Sequence, residues 1–413
     1  MKRLGIVIQK FIEAPIQIID GDRGKNYPTD SEFSDDGYCL FLNTGNVTNS
    51  GFNFSNCQFI SADKDQTLRK GKLKRNDLVM TTRGTVGNIG YYNNEIPFEN
   101  IRINSGMVIF RTNQEAISSA YLYQYFRSTY FNRQVNSLRT GAAQPQLPIR
   151  DIKCIKIQIP QIGEQVKISN ILSAYDDLID TNRRRIQLLE ESVRLLFREW
   201  FVYFKFPGHE KIKIVDGVPE GWGKEKINKL VSLLGGHAFK GTSYQQEGKY
   251  GIVTIKNVQQ GSFIPGCTDY LEETPSGMRK HCFLSNGDIL MSLTGNVGRV
   301  CLVYGENFLL NQRVAKIESK NKIPKSFIYW MFDNPIMQKR IENLSYGSAQ
   351  QNLSPIKLGE QLVILPPNLL LERFDEIVSL INIEIIQFLS QNQKLAHARD
   401  LLLPRLMSGA IEV

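Results

Sequence analysis

Asp77-Leu78-Val79-Met80-Thr81-Thr82-Arg83-Gly84-Thr85-Val86-Gly87 returns later in the chain as Asp288-Ile289-Leu290-Met291-Ser292-Leu293-Thr294-Gly295-Asn296-Val297-Gly298. The separation is constant, from 77 to 288, 84 to 295 and 87 to 298. Each copy reads as an acidic residue, a short apolar strand and a Gly-rich loop. A basic pair precedes both, Arg69-Lys70 and Lys280-His281. Working outward, Tyr121-Leu122-Tyr123 matches Phe327-Ile328-Tyr329, and Gly141-Ala142-Ala143-Gln144 matches Gly347-Ser348-Ala349-Gln350. Leu147 matches Leu353, and Ile159-Pro160 matches Leu365-Pro366. A few residues are lost between the two blocks, as surface connections tolerate. The chain is an internal duplication.

A third repeated block is helical. Ile168, Leu172, Tyr175, Ile179, Asn182, Ile186, Leu189, Val193, Leu196 and Trp200 step by four and three alternately. Phe374, Val378, Ile381, Ile385, Phe388, Asn392, Leu395, Arg399, Leu402 and Leu406 keep the same steps. That is the seam of a coiled coil. A helix of about 40 residues is roughly 60 Å long and must bury its stripe, most economically against the other copy. The expected order is globular unit, long helix, globular unit, long helix, with a loop-like linker from Lys205-Phe206-Pro207-Gly208 to Gly221-Trp222-Gly223. An antiparallel pair would put the globular units at opposite ends of a rod. Each seam carries one Asn; it either fixes register or faces solvent beside an offset seam. Arg399 breaks the second seam, and Pro404 should bend or end that helix. The last turns carry surplus apolar residues, Leu195, Phe197, Trp200 and Phe201 in one copy and Leu401, Leu403 and Met407 in the other. They call for a second partner, either the globular unit's own core or another protein.

The 413 residues suggest two to four domains at roughly 100–200 residues each. The net charge of +9 and the pI near 9.1 favour nucleic acid or an anionic surface as partner. Cys39, Cys57, Cys154, Cys267, Cys282 and Cys301 form no Cys-x-x-Cys pair and read as reduced thiols of a cytosolic protein. The N-terminal apolar run is interrupted by Gln9, Lys10 and Glu13, too soon for a secretory signal, and no stretch approaches a membrane span. A cytoplasmic protein with no membrane partner is expected.

The repeated loops carry the side chains suited to phosphate oxygens and base edges. The first hairpin offers Thr82, Arg83 and Thr85, and the second offers Thr294, Asn296 and Arg299. The amide-rich runs offer Arg139, Thr140, Gln144 and Gln146, then Tyr346, Ser348, Gln350 and Gln351. Arg83 could fork onto a guanine, and Asn296 could pair with an adenine edge. Arg69, Lys70 and Lys280 belong to basic groups that either attract phosphate or are solvated faces. Lys25 lies in the turn Asp20 to Pro28.

His209, His237, His281 and His397 form no constellation. No phosphate-cradling Gly-x-x-x-x-Gly-Lys-Ser/Thr loop and no Asn/Asp-Pro-Pro-aromatic motif occurs. Asp288 with Glu318-Ser319-Lys320 has a nuclease-like spacing, but the first copy has no Glu-x-Lys at the matching place. No catalytic residue, metal ligand or cofactor site is assigned.

In order and duplication, the two Gly-rich loops, the Gly-x-x-Gln runs at Gly141 and Gly347, and the ending Leu402-Leu403-Pro404-Arg405-Leu406-Met407-Ser408-Gly409 resemble the DNA-specificity subunits of type I restriction-modification enzymes. The resemblance covers essentially the whole chain. The fold expected is α+β: two repeated mixed α/β domains separated by two long helices in an antiparallel coiled coil with pseudo-two-fold symmetry. The resemblance implies target-recognition domains at 1–159 and 206–365 and conserved-region helices at 160–205 and 366–413. It implies a non-catalytic reader of a split site on double-stranded DNA, with the helices setting the gap. Methyltransferase subunits, two by symmetry, would dock on this chain and motor-nuclease subunits would join them. S-adenosylmethionine, ATP and Mg²⁺ would belong to those partners. The first helix has no Pro where the second has Pro404, which puts strict symmetry of docking in doubt. The other readings are a self-contained DNA-modifying enzyme, which the missing motifs oppose, and a coiled-coil scaffold for proteins alone.

Overall fold

The computed structural model describes residues 7–141, 144–345, 347 and 351–413. They form two compact units, one of residues up to Leu178 with Leu395–Val413, the other Ile179–Lys394. Each unit therefore draws on both repeats.

The first unit is built on a four-stranded antiparallel sheet in the order Ile16–Asp20, Met107–Thr112, Leu78–Thr81, Ile89–Tyr91. Leu78–Thr81 is buried throughout, which explains its unbroken apolar run. The aspartate before it is structural. Asp77 accepts from the Lys74 backbone N–H at 2.7 Å and pairs with Arg111 at 2.6 Å. Helices Ser119–Arg127 and Thr129–Leu138 cover one face, where Phe11, Phe110, Phe126 and Phe131 cluster. Ser118 and Ser128 cap them.

The second unit repeats this plan. Its sheet runs Val231–Gly235, Val314–Ser319, Ile289–Ser292, Val300–Leu302. Asp288 accepts from the Ser285 N–H at 2.8 Å and from Lys316 at 2.9 Å. One oxygen, Oδ2, thus serves both the turn and an ion pair. Beside the main sheet the copies diverge, with a three-stranded sheet in the first and a four-stranded one in the second. Asn46 and Asn257 repeat a loop lock: each side-chain amide donates to two backbone carbonyls just beyond the small hairpin that follows it.

The long helices span Ile162–Phe197 and Asn368–Met407. Within the second unit they run antiparallel, since Trp200 packs on Phe374 at 6.0 Å while Asn182 bonds Asn392 at 3.0 Å. Within the first unit Asp176 meets Arg399 at 2.6 Å. The seam asparagines thus face each other rather than solvent, and Arg399 makes an ion pair rather than a break. Pro404 does not end its helix, which continues to Met407 and closes on Gly409 at φ +65°. Pro404 removes one backbone donor, and it does so in the last turn, where little helix remains to be broken. The first helix instead passes into a π-turn at Arg198–Val202.

The surplus apolar residues divide. Phe197 and Trp200 are buried in the second unit's core with Phe374 and Phe327, and Phe201 packs against it. Leu403 and Met407 are buried in the first unit's core. As docking residues for another protein these five are corrected: each globular half needs the far end of the opposite helix to close its own core. Leu195 and Leu401 stay exposed. The linker is not free, because Phe206 is buried and stacks near Trp222 at 5.3 Å.

Candidate nucleic-acid interface

The hairpin after Leu78–Thr81 turns on Gly84 and Gly87, at φ +72° and +96°. Its inside is braced by Thr81, whose hydroxyl donates to the Thr85 carbonyl and accepts from the Asn88 N–H. The tip is strapped to the amide-rich loop. The Gly84 N–H donates to the Pro145 carbonyl at 3.1 Å, and the Leu147 N–H to Thr82 at 2.9 Å. Thr140 and Gln146 exchange backbone bonds at 2.9 and 2.8 Å. Arg83 therefore lies beside Gln146 on adjoining strands. Among the described residues no carboxylate lies within ion-pair distance of Arg83 or Arg139.

Two further loops reach the same sheet end. Both the backbone N–H and the hydroxyl of Thr82 donate to the Gly106 carbonyl, at 2.8 and 3.0 Å. Thr82 is thus buried and spent inside, which corrects its place among ligand-facing residues; Thr85 stays exposed. Arg23 donates to the Ser105 carbonyl at 3.1 Å. Gly21 lies so close to the Asn104 carbonyl that a Cβ would overlap it. Buried Asp22 accepts from the Gly24 and Arg69 backbone N–H groups at 2.8 and 2.7 Å, tying loop 20–27 to loop 67–70. The Gly24 N–H foremost, against the pull of burial, holds its carboxyl below the usual range. Lys25, Arg69 and Lys70 are exposed on these two loops. Arg102 fixes the second loop from within, donating to the Lys70 carbonyl at 2.7 Å and pairing with Asp65.

The second unit repeats the clasp. Gly295 N–H donates to the Gln351 carbonyl at 2.9 Å, Leu353 N–H to Leu293 at 2.8 Å, and Leu293 N–H to Arg313 at 3.0 Å. Ser292 braces the hairpin as Thr81 does. Gly236 abuts the Asn311 carbonyl as Gly21 abuts Asn104. The side chains differ. The Thr294 hydroxyl is buried, so it is not presented to a ligand. Arg299 donates to Gln259, and with its amide turned Asn296 accepts from the same guanidinium at 3.1 Å. Arg299 thus braces the hairpin, a correction to its place as a free contact, while Asn296 stays exposed beside it. Lys280 is exposed on a turn that His281 ties to the Gly235 carbonyl at 2.9 Å. Gln351 is exposed; Tyr346, Ser348 and Gln350 lie outside the described residues.

Lys240 is exposed just before the turn Gly241–Ser243. Sequence reasoning did not single it out, nor Asp22, Arg23, Gln312 and Arg313 at these loop ends. The signal was present for the last two: Asn104-Ser105-Gly106 corresponds to Asn311-Gln312-Arg313, following matching strands. Among the described residues no group of three or more His, Cys, Asp or Glu could hold a metal ion, and no helix is long and apolar enough to cross a membrane.

The type I restriction modification DNA specificity domain family matches this chain twice, at residues 16–191 and 219–391. The MjaIX specificity subunit of Methanocaldococcus jannaschii, a type I restriction enzyme, is 24% identical over 81% of this chain and 78% of its own. The HindI specificity subunit of Haemophilus influenzae is 23% identical over 95% of this chain and 98% of its own. The crystal structure of a type I restriction-modification S subunit from M. genitalium aligns over 98% of this chain and 97% of its own, with a TM-score of 0.61 at 15% identity.

Proposed function

Because the chain belongs to the type I restriction-modification DNA-specificity family, we propose that it reads a split site on double-stranded DNA, one half-site per globular repeat, without chemistry of its own. The observation that carries this reading is the twice-built clasp of hairpin and amide-rich loop. It holds exposed basic and amide side chains on a rigid sheet end, the chemistry that meets phosphates and base edges. In the first unit the readers are Arg83, Thr85, Arg139, Thr140, Gln144 and Gln146, with Lys25, Arg69 and Lys70 on phosphate. In the second they are Asn296, Gln351 and Lys280, joined by Lys240 and Arg313. Domains at 1–159 and 206–365 each carry one such face, and the helices at 160–205 and 366–413 set the gap.

Methyltransferase subunits dock on the helices, and motor-nuclease subunits join through them in the cytoplasm. The support is apolar helix residues left uncovered after the seam is filled. They are Ile171, Leu178 and Leu401 in the first unit, and Leu188, Leu195, Leu380 and Ile383 in the second. S-adenosylmethionine, ATP and Mg²⁺ are the partners' requirements.

The test is selection from random duplex DNA, by the chain alone and with its co-purified methyltransferase. Two short unrelated half-sites at a fixed gap are expected. One contiguous site, or no enrichment even with the partner, would return the chain to a protein scaffold. Methyl transfer from S-adenosylmethionine by the pure chain would make it an enzyme instead.

A further inference from the structure

Each unit contains segments of both repeats, so the repeat-to-repeat interface can be read inside a single unit. Two features there disobey the duplication. In the helical block, equivalent residues are 206 apart (168 and 374, 200 and 406), so Asn182 corresponds to Phe388 and Asn392 to Ile186. Yet the Asn182 amide donates to Asn392 and to Gln391, both at 3.0 Å. The second feature is a pair of exchanged charges. Arg127 corresponds to Asp333, and Asp400 to Arg194. In the first unit Arg127 donates to both oxygens of Asp176, at 2.5 and 3.1 Å, and shares its cleft with Arg399 and Asp400. In the second, Asp333 accepts from Arg194 at 3.2 Å and from Gln260 at 2.5 Å. The same position is cationic in one unit and anionic in the other, and the helix position that lines the cleft beside it has changed sign to match: Asp400, paired with Arg399 near Arg127, against Arg194, bonded to Asp333.

We infer that these residues form a pairing code, by which each repeat accepts the unlike repeat and refuses a second copy of itself. In the same antiparallel register, two first repeats would set Asn182 against Ile186 and Arg185, the equivalents of Asn392 and Gln391, neither of which can accept from its amide, and Arg127 against Arg194. Asp176 would also lose Arg399, whose equivalent is Val193. Two second repeats would set Asn392 against Phe388 and Asp333 against Asp400. A buried amide without a partner and like charges in a half-buried cleft are both unfavourable. A polar residue in a seam characteristically specifies pairing at some cost in stability. That cost is visible here, because the Asn182 carbonyl oxygen is buried with no partner among the described residues. On the function proposed above, the code makes each chain pair its own two unlike reading heads rather than join a second chain through like ones.

The intact chain can be made to carry each forbidden contact. N392I gives Asn182 the apolar neighbour of a like pair, D400R sets Arg against Arg127, and R194D sets Asp against Asp333. Each should lower the thermal unfolding midpoint by about 2–4 °C. R194D/D333R should recover the loss, and N182I/N392I, matched but apolar, should unfold at or above the wild-type midpoint. Unchanged midpoints in N392I, D400R and R194D would overturn the code. So would failure of R194D/D333R to recover, since the loss would then come from the site and not from the pairing of charges.

Discussion

Two glycines fix the candidate faces at the scale of single residues. Gly21 and Gly236 abut the carbonyls of Asn104 and Asn311, so any side chain there would push a loop off the sheet end. Gly21→Ala and Gly236→Ala should each cost about 1–3 kcal/mol, read as a lower urea midpoint; unchanged midpoints would mean that the loops give way freely. Arg83→Ala should weaken reading of one half-site by on the order of 1–3 kcal/mol. Selection with the variant would show one half relaxed and the other intact, and an equal effect on both would contradict separate heads. The turn itself was legible from Gly84 and Gly87. The inward roles of Thr82, Thr294 and Arg299 were not, because a hydroxyl or guanidinium on a turn can face either way. The carbonyl that claims it, as Gly106 claims Thr82, lies far along the chain.

Among elements, the strands and both long helices could be read from periodicity, and the seam follows the predicted positions wherever Ile168, Leu172, Ile179, Val378 and Ile385 are buried. Where the helices end could not be read. Phe197, Trp200, Leu403 and Met407 obey the same pattern as a docking surface would, and only the fold reveals that the globular cores take them in. The meeting of Asn182 with Asn392 needed the register, which a list of seam positions does not supply. If the helices set the gap, one heptad added to each between the two units, keeping the seam in phase, should lengthen the spacing by about 10 Å, roughly three base pairs. Selection with that variant would show the wider gap, and an unchanged gap would remove the helices from that role.

Over the whole molecule, the charge of +9 should make DNA affinity fall steeply as salt rises, linearly in the logarithms. A flat titration would leave phosphate contacts out of the account. Acid should act on the fold itself. Burial pushes the carboxyls of Asp65 and Asp176 up, but Lys72 and Arg102 at the first and Arg127 and Arg399 at the second outweigh it and hold both low. Groups depressed in the folded state contribute stability at neutral pH, which is lost as pH falls from about 4, their unfolded value, through their folded ones. Unfolding midpoints should decline through that range, and a midpoint that rose on acidification would contradict the assignment.

The first unit is completed by residues 395–413, while the second closes with residues no later than Lys394. On the ribosome the order of completion is therefore reversed relative to the order of synthesis. The first globular half emerges early and waits, its apolar floor open, until Leu403, Leu406 and Met407 arrive to seal it. A message cut short after residue 394 would yield a chain whose later half is finished and whose earlier half is not. Such a fragment should be cleaved by protease at its beginning first.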